Sequence, residues 1–382
     1  MKTYDVAVIG GGVIGASIAF ELAGRKLRVL VLDRQQPGQE ASWAAAGMLS
    51  PAPDSPRDIP LVPLGRESLR SYPEFANAIE ESSGRSIGLE AEGALELFSG
   101  PDAEGARDHR VSECKQLGIA VEAVPIETAR TWENGVGSNI RAAAWLPEEG
   151  RVEPRLLTEA VLLAVQNRGV EFRLNCPVTE FLVEHQRCTG VVAAGEKIAA
   201  EHVILAAGSF SNQIGGNMYS SAQYAPTRPV RGQVIALRPD GLRLKCVLRT
   251  GTGYLVPRRD GQIVAGSTCE DAGFDKRVTP EGLRFILNNA LEIAPALRSA
   301  AIVDAWSGLR PGTPDDLPIL GPTDIRGLLI ATGHYRNGIL LSAITAKLIR
   351  EWVTVGRTSF DAASFSPLRF TKAESQAQHA PS

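Results

Sequence analysis

The sequence lacks an excess of charge of either sign. Its 40 Lys and Arg stand against 43 Asp and Glu, for a net charge of −3. No basic stripe or acidic tail breaks this balance, which argues against nucleic acid as a partner. Cysteine and histidine are scarce, at five each. Cys114, Cys176, Cys188, Cys246 and Cys269 form no C-x-x-C pair, and the histidines are scattered. A metal site or a disulfide framework is therefore not expected, and ordinary buried or surface thiols are. Long apolar runs are missing too. The longest, near Leu27–Leu32 and Leu328–Thr332, have strand length, so no membrane span is expected. A cleaved secretory leader is not expected either. A glycine motif begins by residue 10 and cleavage would destroy it, so cytoplasmic residence is the default expectation.

Glycine, in contrast, is abundant at 38 residues, and its placement is informative. In Tyr4 to Asp33 an apolar run, Val6–Ile9, leads into Gly10, Gly12 and Gly15. That spacing is G-x-G-x-x-G. A helical pattern follows from Val13 to about Ala23, then a second apolar run ends in Asp33. Strand, glycine turn, helix, strand and acid in this order point to a dinucleotide. Gly10 permits a tight turn, Gly12 lets backbone N–H groups approach a pyrophosphate, and Gly15 lets the helix lie close on the strand. The helix N-terminus offers free N–H donors to the phosphates. Asp33 suits a ribose 2′-OH and would repel a 2′-phosphate. The motif does not decide between FAD and NAD.

The length of 382 residues suggests roughly two to three domains. Ala41 to Leu49 is rich in small residues, which fits either a helix start or a backbone surface against which a flat ligand lies. Ser50 to Pro63 holds five prolines and reads as a surface loop, crossover or lid, followed by a helix from about Leu64 to Ser82. Strands are expected at Gly93–Phe98 and Ala142–Leu146, and helices at Asp102–Leu117 and Ile126–Trp132. Val152-Glu153-Pro154 opens an amphipathic helix running to about Arg168. Strands at Val170–Leu174, Val178–Val183 and Gly190–Ala194 precede the apolar run His202–Gly208, with a helix at Phe210–Ile214. From Thr227 the texture turns to strands, with a hairpin around Arg258–Gly261, then a helix from Thr279 to about Ile293. The nucleotide-binding pattern resumes at Asp304–Thr313, strand Leu328–Thr332, Gly333–Gly338 and a helix from Ile339 to about Val353. Phe370–Ser382 is polar and expected to be disordered.

These blocks occur in one order. The glycine motif with Asp33, the Ser42–Leu49 segment, Val152-Glu153-Pro154, Ala206-Ala207-Gly208, Ser307–Thr313 and Gly333–Gly338 together resemble the FAD-dependent D-amino-acid oxidase superfamily. Within it, the chain looks most like the glycine oxidases of thiamine biosynthesis. The resemblance runs from about Tyr4 to Val353. It implies an α/β protein of two interleaved domains. A Rossmann-like FAD domain would comprise residues 1–88, 148–225 and 304–382. An α+β substrate domain with a large mixed sheet would comprise residues 89–147 and 226–303. It also implies a homotetramer.

Residue roles follow from the same resemblance. Gly10, Gly12 and Gly15 would hold the FAD pyrophosphate and Asp33 the adenosine ribose, with Val13, Ile14 and Arg34 also among the cofactor-binding residues. Ser42, Ala45, Ala46, Gly47 and Met48 would line the pyrophosphate and flavin. Val178 would meet the adenine, and Ala207 and Gly208 the adenosine half. Gly333, Arg336, Asn337, Gly338 and Ile339 would sit at the pyrimidine end of the flavin, where a helix dipole favours negative charge. Arg310 would take the substrate carboxylate with two parallel hydrogen bonds, helped by Tyr254 and with Arg336 near flavin and substrate. Cys269 stands where relatives often carry methionine, and a smaller side chain widens the pocket. The FAD is expected to be non-covalent, since no cysteine follows Cys269 and the first histidine is His109.

The implied chemistry is oxidation of glycine, sarcosine or a small D-amino acid. Hydride passes to flavin N5 and oxygen is the final acceptor. The products are an imine or 2-oxo acid, ammonia and hydrogen peroxide, with iminoglycine serving thiazole synthesis. Two other readings stay open: a D-amino-acid dehydrogenase passing electrons to a quinone, and a non-catalytic FAD-binding module.

Overall fold

A computed structural model of the chain describes residues 3–215 and 220–371. Two eight-stranded sheets dominate it. In the first, Thr3–Ile9 is central and runs parallel to Val29–Leu32 on one side and Glu196–Leu205 on the other. Leu328–Thr332 continues the parallel set, and Ile319–Pro322 closes that edge antiparallel. A hairpin of Val178–Glu184 and Arg187–Ala193 folds onto Glu196–Leu205. From Val6 onward, period-2 alternation splits the central strand between two cores, and an irregularity at Asp5–Val6, where both N–H groups reach the Arg28 carbonyl, puts Tyr4 out of that phase. Val6 and Val8 face the helices Val13–Ala23, Val62–Ser83, Pro154–Asn167 and Gly338–Val355, whereas Tyr4, Ala7 and Ile9 face the hairpin side. Burial on both faces explains why these strands read as continuous apolar runs.

The second sheet runs in the order Ala301–Gly312, Arg228–Arg238, Ile263–Gly266, Tyr254–Pro257, Val247–Arg249, Ala94–Ser99, Ile140–Leu146, Glu122–Val124. Helix Pro280–Ile293 packs on one face, through Ile286, Ala290 and Ile293. Thr279 caps that helix, accepting the Gly282 N–H at 3.2 Å, as its side-chain chemistry predicts. The other face turns to the first sheet, with Ala94, Val234, Val247, Val256, Val264 and Trp306 in contact with Trp43, Ala44 and Met48.

Several expectations needed adjusting. The proline-rich stretch is not plain loop: Pro56–Leu61 forms a 3₁₀ helix behind a Ser55–Asp58 capping box, continuing into Val62–Ser83. Pro56 sits at the first helical position, where its missing N–H costs nothing. The short helix expected at Phe210–Ile214 is a 3₁₀ helix, Gly208–Gln213. Ala301–Gly312 is a twelve-residue edge strand of the second sheet, so a domain boundary at 304 falls inside a strand rather than between sheets. Phe370 packs against the hairpin-side core and lies in a helical turn that also includes Thr371. The rest of the tail expected to be disordered, residues 372–382, lies outside the described residues. No helix among the described residues is long and apolar enough to cross a membrane.

Candidate functional site

The glycine motif folds as its spacing requires. Gly10 has φ +101°, and a Cβ there would press on the Ala206 carbonyl and come 3.0 Å from the Ala207 Cα. A Cβ on Gly15 would overlap the Gly10 carbonyl oxygen. Gly15 is therefore a packing glycine, and it does not line the cavity described below. Gly12 is different: a Cβ there would meet only the Ser42 Oγ, at 3.3 Å. Helix Val13–Ala23 starts here with no acid in its first turn and no side-chain cap from Gly12. Ser42 Oγ accepts the Val13 N–H at 2.9 Å. Asp33 accepts the Gly11 N–H at 2.7 Å and the Gln35 N–H at 3.0 Å. Burial pushes the Asp33 carboxyl up, against the pull of those two N–H groups.

These groups open onto a cavity of about 910 Å³ between the two sheets. That is at the upper end of ligand clefts, ~300–1,000 Å³. At one end lie Gly10, Gly12, Val13, Ile14, Asp33 and Arg34, with Val178, Ala207 and Gly208 across from them. Arg34 lies over the Phe210 ring at 3.4 Å and pairs with Glu40 at 2.9 Å. Ser42, Ala45, Ala46, Gly47 and Met48 form the middle. The helix-start reading of this small-residue segment holds for its first residues. Ala41–Ala44 makes one helical turn, and the chain then runs extended into Met48–Leu49. Gly47 has φ +89°, and a Cβ there would overlap the Val152 carbonyl. Arg258 grips the Ala46 carbonyl at 2.7 Å and faces Glu153 at 3.6 Å, which gives the Val152-Glu153-Pro154 block a structural task.

The far end carries the charges. Arg310, on Ala301–Gly312, lays its guanidinium across Gly232, where a Cβ would overlap it. Its Nη1 donates to the Thr268 carbonyl at 3.1 Å and its Nη2 to Ser267 Oγ at 2.8 Å. Among the described residues no carboxylate pairs with Arg310. The Tyr254 ring covers Gly266 in the same way, its cross-strand partner. Arg336 donates to Asp54 at 3.3 Å. Cys269 Sγ lies 3.2 Å from the Tyr335 hydroxyl. Burial works against the Cys269 thiolate, but Tyr335 and Arg336 outweigh it and hold the thiol below its usual range. Asn337, Gly338 and Ile339 also line the cavity, at the start of helix Gly338–Val355, which has no acid in its first turn. Gly333 does not: it packs under Thr313 and Ile319.

Several lining residues were not singled out from the sequence. Glu96, Arg110 and Arg249 form an ion-pair network in the wall, and Asp54, Ser267 and Tyr335 hold or flank the arginines. Arg249 ends an apolar strand and Glu96 interrupts another, and that interruption was the available signal. His334 is buried, and its pKa is pushed down to about 3, so it stays neutral. Its ring nitrogen lies 3.0 Å from Thr345 Oγ1. Among the described residues no cluster of His, Cys, Asp and Glu is placed to hold a metal ion.

A glycine-motif cradle, two helix N-termini, Asp33 and an arginine without a carboxylate partner among the described residues all face one cavity, as suits a dinucleotide-dependent oxidoreductase. The chain belongs to the FAD dependent oxidoreductase family, whose model matches residues 5–352. FAD is its cofactor. It is 33% identical to the glycine oxidase of Pseudomonas putida over 371 residues, covering 95% of this chain and 98% of that one. It is 36% identical to the bifunctional protein ThiO/ThiG of Trichormus variabilis over 377 residues, covering 97% of this chain but 56% of that protein. The chain thus spans about half the length of such bifunctional relatives. The crystal structure of glycine oxidase from Geobacillus kaustophilus superposes with a TM-score of 0.90 at 32% identity, covering 97% of this chain and 99% of that one.

Proposed function

We propose that the protein oxidises glycine and other small amines or D-amino acids, such as sarcosine and D-alanine. The products are the imine or 2-oxo acid, ammonia and hydrogen peroxide. The observation that carries this reading is Arg310. It is held rigid by the Thr268 carbonyl and Ser267 Oγ, and no carboxylate answers it among the described residues. A charged, planar donor kept in that state suits an incoming carboxylate. The similarity to glycine oxidases over nearly the whole of both chains supports the substrate class.

FAD, when bound, supplies the two-electron acceptor for the Cα–H and passes the electrons on to oxygen. The glycine cradle and both helix N-termini would hold its pyrophosphate and pyrimidine ends, with Asp33 at the ribose. Arg310 and Tyr254 orient the substrate by its carboxylate, and this orientation supplies much of the barrier reduction. No side chain needs to take the Cα proton, consistent with a neutral, buried His334. The FAD is bound without a covalent link. The two-part division into a FAD domain and a substrate domain, a cytoplasmic homotetramer and delivery of the imine to thiazole synthesis belong to the same proposal.

The test is an anaerobic titration of the FAD-loaded protein with glycine, sarcosine and D-alanine, with peroxide measured in air. Bleaching of the flavin and stoichiometric peroxide are expected. Bleaching without peroxide would turn the reading to a dehydrogenase, and no bleaching with any of the three would refute it. Sedimentation of the native protein checks the tetramer, and loss of thiazole supply in a deletion strain checks the pathway role.

A further inference from the structure

Beyond Tyr254 the cavity wall continues across the second sheet. Tyr254 pairs with Arg249, and Arg249 with Glu96, so the three side chains share one row of one face. Strands lie ~4.8 Å apart, which places Glu96 ~10 Å along the wall from Tyr254. Arg110, from helix Ala103–Gln116, reaches the same wall.

The charges there are closely matched. Arg249 faces Glu96 at 2.9 Å and Glu149 at 3.0 Å. Its side chain is only 9% exposed. It also donates to Ser50 Oγ at 2.6 Å, tying the chain after Met48–Leu49 to the sheet. Arg110 faces Glu96 at 3.0 Å, with Glu113 at 2.7 Å on its outer side. Glu96 thus bridges the two guanidiniums. Burial opposes its charge, yet Arg249 and Arg110 hold its carboxyl below the usual range. Burial instead pushes the Glu149 carboxyl up. Glu96 is the firm negative charge of the network and, unlike Glu149, it lines the cavity. Arg336 has Asp54. Arg310 alone among these four arginines has no carboxylate partner among the described residues.

We propose that Glu96 is a specificity-determining residue: shared by Arg249 and Arg110, whose other partners are Glu149 and Glu113, it leaves neither guanidinium free for an anion, so the cavity accepts one carboxylate, at Arg310, and rejects substrates carrying a second anionic group. This rests on the reading of the site as one for small amino acids. A like charge on a desolvated wall discriminates by repulsion, and removing it turns the neighbouring arginines into attractants for an anion. Glu96 touches neither the reacting bond nor the α-carboxylate, and it acts on the far side of the substrate.

The test compares wild type with Glu96→Gln, which keeps size and hydrogen-bonding but removes the charge. Dissociation constants for glycolate and malonate are read from the flavin spectrum of the FAD-loaded proteins. In parallel, kcat/KM is measured for glycine, D-aspartate and iminodiacetate. The preference for two carboxylates over one is expected to rise about tenfold or more in Glu96→Gln. Glu96→Asp, which keeps the charge, should return it to within about threefold of wild type. A folded, flavin-bearing Glu96→Gln with an unchanged ratio would overturn the proposal, as would an equal rise in Glu96→Asp. Should Glu96→Gln lose its flavin, Arg110→Gln decides. It leaves Glu96 in excess, so the ratio should fall, and a ratio that holds or rises overturns the idea. The binding arm separates this inference from the function it rests on. Glycolate and malonate discriminated as expected, with no amino acid oxidised, would refute only the latter.

Discussion

Along Gly10–Val13 the cavity wall is mostly main chain: N–H groups, carbonyls and glycine Cα atoms, with Ser42, Asp33 and Pro37 among the few side chains against them. Under the second sheet the wall is rich in side chains, and the charged ones gather there: Arg310, Arg249, Arg110 and Glu96 beside Tyr254, with Arg336 close by from the turn before helix Gly338–Val355. The difference has a physical consequence. A main-chain wall is sensitive to atoms that are added, because it has no slack where helix and strand touch. A side-chain wall is sensitive to atoms that are removed, because each group there is held by, or answers, another.

Removing atoms at Arg310 should have the largest effect. Arg310→Ala is expected to lower kcat/KM about 100-fold, chiefly through KM, and Arg310→Lys should recover little because a point charge cannot match a planar fork. Steady-state kinetics with glycine check this, and an unchanged KM would remove Arg310 from the carboxylate role. Adding atoms in the other half separates two glycines that look alike in the motif. Gly15→Ala would drive a Cβ into the Gly10 carbonyl and should cost ~1–3 kcal/mol of stability, seen in thermal melts of the FAD-free protein. Gly12→Ala, with φ −69° and only Ser42 Oγ nearby, should leave that stability within ~0.5 kcal/mol while weakening FAD binding in a flavin titration. Equal losses of stability in the two variants would break the comparison.

The thiols sharpen it further. Cys114, Cys176, Cys188 and Cys246 are buried, and burial raises all four, Cys188 to about 11. Cys269 is exposed in the charged half and lowered, so more of it is thiolate at neutral pH. Iodoacetamide should label it at least about tenfold faster than the others, and Cys269→Ser should leave the native protein nearly unlabelled. Peptide mass mapping gives the answer. A last effect, spread over several pH units, concerns His334, whose folded pKa is depressed from 6.5 to about 3. The unfolded chain takes up this proton first, so His334 contributes stability above pH 6.5 that is lost as pH falls toward about 3. The slope cannot exceed ~1.4 kcal/mol per pH unit from this one group. His334→Gln should flatten the denaturation midpoint against pH in that window, and a slope unaltered by the substitution would assign it to other groups.

How much of this was legible beforehand depends on the residue. Gly10, Gly12 and Asp33 could be read because local spacing alone constrains a strand, a turn and a helix start. The helix at Ile126–Trp132 and the strand at Leu328–Thr332 coincide with their expected bounds, since each is a short run with clear flanking breakers. Arg310 and Tyr254 stood out only through the blocks around them. Glu96, Arg110 and Arg249 did not stand out at all. They lie between 96 and 249 in the chain, and only strand pairing in the second sheet and a helix laid across it bring them together. Gly333 shows the opposite case: a glycine in a specific block that the fold uses for packing under Thr313.

The amino-acid sequence by itself determined the dinucleotide cradle and much of the order of elements, because those depend on local backbone geometry and on apolar periodicity, and it carried the family through the blocks that resemble it. Which arginine is answered and which is left for a carboxylate was decided only by tertiary structure. Charge pairing is a property of distances between strands, and the chain in one dimension does not carry those distances. Arg249 and Arg310 are the same residue type on strands of the same sheet. Glu96 and Glu149 meet the first, whereas two main-chain carbonyls and a hydroxyl steady the second.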